Sequence, residues 1–92
     1  MRDPEYRKWL RGMTCVICLF GKDLHHCGIV DPAHTENNGT SSKGPDYSCV
    51  PLGRGHHREY DAGRKAFEKK YDIDMQETAK KYWETYQREI SN

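Results

Sequence analysis

The sequence is poor in apolar residues. Only 35% of its 92 residues are hydrophobic and just two are Phe, well short of an average soluble domain. A chain this short with so little to bury needs a supplement to its core, and the usual ones are disulfides, a bound metal or a partner subunit. No apolar run approaches the ~20 residues that cross a bilayer, so no membrane partner is expected. The first residues, MRDPEYRKWLRG, are too polar for a secretory signal, and a soluble, cytoplasmic chain follows as the expectation. There is also little net charge. At +1 the chain has no bulk cationic field for nucleic acid, so any basic surface must be local. No internal repeat appears, and nothing divides the chain, so residues 1–92 read as a single domain.

Four Cys and five His are what the sequence does have. In a reducing compartment a Cys-x-x-Cys pair is more often a metal clip or a redox site than a structural disulfide. Cys15-Val-Ile-Cys18 puts two thiolates on one tight turn, and a tetrahedral zinc would use a second, distant pair to join two pieces of chain. His56 is the preferred third ligand. Cys49 is the fourth, with Cys27 as its alternative.

Local pattern outlines the elements. Asp3-Pro4-Glu5 signals a helix start, and Tyr6, Trp9, Leu10 and Met13 form one stripe of a helix over residues 4–12. Leu24 to Val30 reads as a strand, with His34 closing the first strand. Thr35 to Tyr47 is a long polar loop of the kind that is usually functional or disordered. Ser48 to Leu52 reads as a short strand, with Pro51 marking an edge. One helix is expected from near His56 to about Tyr71. Another runs over residues 74–90, opened by Asp74 and Glu77 as a variant capping box; its face of Met75, Ala79, Tyr82, Trp83, Tyr86 and Ile90 is expected to dock on the domain.

A second constellation lies outside the thiols. His57 and Asp61 are four apart on a helix and can grip one divalent cation from the same side. One His and one carboxylate with open positions suit Mg²⁺ or Mn²⁺ together with phosphate. His34, on a facing strand, has the intrinsic basicity to take a proton from water.

Taken together, CVIC (15–18), PAH (32–34), KGPD (43–46), VPLGRGHHREYDAG (50–63) and F-x-x-x-Y-x-I-D (67–74) resemble the HNH nucleases of the His-Me finger (ββα-metal) superfamily, in their small phage and bacterial form. The likeness covers about two thirds of the chain. It implies an α+β fold: a ββα-metal core over about 15–73 with a zinc knuckle, flanked by N- and C-terminal helices. It also implies a DNA endonuclease that nicks or cuts duplex DNA with low sequence specificity, working as monomer or homodimer. His34 would be the general base and His57, with Asp61 one turn on, the holder of a catalytic Mn²⁺ or Mg²⁺. Asp46 would fix the loop, Ser48 falls near the Asn of the family name, and Lys43, Arg54, Arg58, Arg64, Lys65 and Lys69 would meet phosphates. Two positions depart from the pattern: Ala33 stands where relatives carry a metal ligand, and Gly53 where they carry a knuckle Cys. The rival readings are a zinc-braced nucleic-acid-binding module without catalysis, and a thiol redox protein built on Cys15 and Cys18.

Overall fold

Asp3 opens the first helix, α1 (Pro4–Arg11), by accepting the Tyr6 amide on its carboxylate at 3.1 Å, with Pro4 in the first turn where its missing N–H costs nothing. The structure is a computed structural model that describes residues 3–21, 28–35 and 46–90. It shows a small α+β domain with several helices around a two-stranded antiparallel sheet. After α1 come α2 (Val16–Leu19), β1 (Val30–His34), a 3₁₀ turn (Asp46–Ser48), β2 (Cys49–Gly53), α3 (Arg54–Ala62), α4 (Arg64–Tyr71) and α5 (Met75–Ile90).

The first strand begins further along than expected. The pattern had it running from Leu24, whereas β1 begins at Val30; it does end at His34, as expected, and residues 24–27 lie outside the described residues. β2 is displaced by one residue, to Cys49–Gly53. Pro32 faces Pro51 across the ladder. A sheet of two strands has only edges, which is where a residue without an N–H is tolerated.

The single helix expected from His56 to Tyr71 is two. Gly63 is extended (φ −172°, ψ 92°) and ends α3 while opening α4. Glycine is a weak helix former, and here the stripe Ala62, Ala66, Phe67 was too thin to hold one axis through it. The final helix runs as expected, with Asp74 accepting the Glu77 amide at 3.1 Å. It docks on the domain through Met75, Thr78, Ala79 and Tyr86, but Ile90 is exposed.

Side chains alternate across a strand, and the register places Ala33 opposite Val50 and His34 opposite Cys49. One face of the sheet, with Ala33, Val50 and Leu52, joins Val16, Ile17, Tyr60, Phe67 and Met75 in the larger core cluster. Cys49 belongs instead to a second cluster with Tyr6, Leu10 and Tyr86, to which Trp9, Tyr82 and Trp83 add their rings. Tyr6 lies edge-on to Trp83 at 4.9 Å and donates its hydroxyl to the Cys49 carbonyl at 3.1 Å, which fastens α1 to β2. No helix among the described residues is long and apolar enough to cross a membrane.

Candidate functional site

The short α2 turn brings Cys15 and Cys18 together, and the first turn of α3 carries His56 to them. Cys15 Sγ lies 3.4 Å from His56 Nδ1. Ligand atoms of all three residues fall within 4.8 Å of one another. Donors on one tetrahedral zinc are spaced roughly 3.3–3.8 Å apart, so this set needs only a small contraction to close on an ion. Cys15 and His56 are buried, and the His56 ring meets Tyr71 edge-on at 5.6 Å. These three residues could hold a metal ion.

Cys49 is not the fourth member. It occupies the opposite end of β2, beside His34, and its donor atom groups with His34 and Asp46 instead. Four residues of extended chain, about 13 Å, separate it from the end of the strand that feeds α3. Nearness to His56 in sequence misled because an extended strand carries its ends apart. Cys27, the alternative, lies outside the described residues.

His57 follows His56 on α3 but points elsewhere. Its Nε2 is 3.4 Å from Asp61 Oδ2, the expected pairing of positions four apart, and its Nδ1 is 3.6 Å from Asp31 Oδ2. Asp61 also meets Arg64 at 3.8 Å, and Arg54 Nε reaches Asp31 Oδ2 at 3.3 Å. This pair is open: the His57 side chain is 27% exposed and that of Asp61 55%. Sequence reasoning missed Asp31. The signal was present, since residues 31 and 33 share a face of a strand and Ala33 had been marked as an absent ligand.

His34 does not join them. Its Nε2 bonds Asp46 Oδ1 at 2.9 Å, and its side chain is only 11% exposed. It stands on the face of β1 that looks toward Cys49, whereas Asp31 and Ala33 look toward α3. Asp46, expected to steady the loop, is the centre of this group. Its other oxygen accepts the Asp3 amide at 2.6 Å and lies 3.2 Å from Arg7 Nε, close enough for an ion pair although that N–H is not aimed at it. Burial opposes the charge on Asp46, but the Asp3 amide, His34 and Arg7 together outweigh it and hold the carboxyl below its usual range. With Asp46 ionised and able only to accept, Nε2–H of His34 is the donor in this bond. Ser48, buried next to Cys49, accepts the Thr35 amide at 3.0 Å and hydroxyl at 2.7 Å on its carbonyl. Its backbone thus secures the end of β1.

Of the candidate phosphate contacts, Arg54 and Arg58 are exposed one turn apart on α3, and Lys65 and Lys69 are exposed one turn apart on α4. Arg64 is partly covered, its guanidinium 4.8 Å above the Tyr60 ring. Lys43 lies outside the described residues. Comparison of the chain with family models, with curated proteins and with solved structures finds no match.

Proposed function

We propose that this chain is a zinc-braced, metal-dependent endonuclease that hydrolyses phosphodiester bonds in DNA. The observation that carries the reading is the unit β1–β2–α3, an antiparallel pair running directly into a helix whose first turns present His57 and Asp61 to solvent beside exposed Arg54 and Arg58. Cys15, Cys18 and His56 would hold a structural Zn²⁺ that ties α2 to the start of α3. His57 and Asp61 would hold Mn²⁺ or Mg²⁺, which when bound polarises a phosphate oxygen and stabilises developing charge. Arg54 and Arg58 would fix the DNA through its phosphates and read little sequence.

The hydrolytic step also needs a base. Catalytic contacts are often loose before substrate binds. In this proposal His34 Nδ1 takes the proton from water, its ring oriented by Asp46 as a carboxylate orients a catalytic imidazole. The Asp46 hydrogen bond and the Thr35–Ser48 contacts hold the ring in place, so the attacking water would have to reach His34 on its own side of β1 when DNA binds. One observation favours a second reading, a zinc-braced DNA-binding module without catalysis: Asp46 already gives His34 a structural role.

A supercoiled-plasmid assay with Mn²⁺ or Mg²⁺ separates the two. Conversion to open circle by the wild type, lost in His57→Ala and in a still-folded His34→Ala, supports the nuclease. DNA binding with the plasmid left supercoiled by either ion supports the module. Full activity in His34→Ala would remove His34 as base and leave proton abstraction to another group.

A further inference from the structure

The geometry points to Asp31 as a positioning residue that sets which nitrogen of His57 is offered to a divalent cation. This rests on the reading of His57 and Asp61 as a cation pair. The His57 ring lies between two carboxylates that meet different nitrogens, Asp31 Oδ2 at 3.6 Å from Nδ1 and Asp61 Oδ2 at 3.4 Å from Nε2. A neutral imidazole has one N–H and one lone pair, so one carboxylate faces the proton and the other faces the metal-binding side. Two features decide which. The same Asp31 oxygen is shared with Arg54 Nε at 3.3 Å, closer than the 3.8 Å from Arg64 to Asp61, so more of its charge is already answered. Asp61 is 55% exposed against 26% for Asp31, and a hydrated ion with its phosphate must come from the open side.

Asp31 therefore faces Nδ1–H, and the Nε2 lone pair points with Asp61 toward solvent. A slight turn of the ring closes the 3.6 Å gap to a hydrogen bond. The result is a carboxylate–histidine–metal arrangement, in which the outer carboxylate fixes the tautomer and raises the basicity of the ligand. Asp31 sits two residues before Ala33 on the same face of β1, so it supports the site from the strand where Ala33 can contribute no ligand. A strand position suits the task, since the ladder to Leu52 holds its backbone in place.

The test uses the full zinc-loaded chain. Mn²⁺ affinity is read by electron paramagnetic resonance, and the His57 tautomer by long-range ¹H–¹⁵N correlation before Mn²⁺ is added. The wild type should show His57 as the Nδ1–H tautomer. Asp31→Ala should shift it toward Nε2–H and weaken Mn²⁺ binding about 10–100-fold, with Asp31→Asn, which keeps an acceptor, restoring much of both. An Nε2–H tautomer in the wild type, unchanged Mn²⁺ affinity in Asp31→Ala, or equal affinity in wild type and His57→Ala would each overturn the assignment. A wild type that shows the expected tautomer and Asp31-dependent Mn²⁺ binding, yet leaves plasmid supercoiled, would sustain Asp31 while defeating the nuclease reading.

Discussion

His56 and His57 are consecutive on α3, yet one is 5% exposed and set against two thiols while the other is 27% exposed between two carboxylates. Successive residues on a helix are turned about 100° apart, which suffices to put them in different solvents. The buried corner offers soft donors in a dry place, where an ion would stiffen the fold. The open corner offers imidazole and carboxylate where water and phosphate can reach. Two neighbouring residues of one type thus have opposite surroundings, and the difference lies in what the fold packs around each.

The contrast is most strongly tested at the buried corner, by removing the zinc proposed for it. Structural zinc contributes apparent free energies on the order of 10 kcal/mol, comparable to the whole stability of a small domain. Chelation, or Cys15→Ser, is therefore expected to abolish the cooperative thermal transition seen by circular dichroism. A chelated protein that still melts cooperatively near the wild-type temperature would show that the corner braces nothing.

Next in size is Asp46→Ala, which leaves Arg7 and His34 without their shared partner and should cost about 3 kcal/mol, as broken buried ion pairs do. The pH dependence has a definite sign. A carboxyl held below its ordinary value stabilises the folded state fully above that value, near pH 4, and the contribution fades as pH falls through the lowered native one. Urea titrations of wild type and variant should therefore converge in acid. Parallel curves down to low pH would mean that the charge of Asp46 is not what holds α1 to β1.

At the open corner the expectation reverses. His57→Ala should shift stability by no more than about 0.5 kcal/mol, as surface changes usually do, while Mn²⁺ binding and plasmid nicking disappear. A large loss of stability would make His57 another part of the brace. The smallest effect is expected for Arg58→Ala: an unchanged melting temperature, with the slope of log affinity for DNA against log salt reduced by about 0.9 for one lost phosphate contact. An unchanged slope would remove Arg58 from the proposed DNA surface.

Much of this was legible in the residues themselves. The Asp3-Pro4 start of α1, the Asp74 start of α5, the Cys15–Cys18 turn and the His57–Asp61 pair all depend on spacing within one element, and the structure has each of them. The docking of the aromatic face of α5 was also readable, except at Ile90, where the helix runs past the domain. The break at Gly63 was missed because a single glycine interrupts a helix or is carried through it according to the packing around it. The meeting of Asp31 with His57 and the capture of His34 by Asp46 join different elements, where no local period gives warning.

The sequence by itself determined the local pieces: caps, the two-thiol turn, and the sharing of a helix side by residues four apart, because a helix repeats every 3.6 residues whatever surrounds it. Only the tertiary structure decided which face of β1 His34 would take and which carboxylate would meet His57. Those choices follow from strand register, and since side chains alternate with a period of two, a shift of one residue would have sent each of them to the other face.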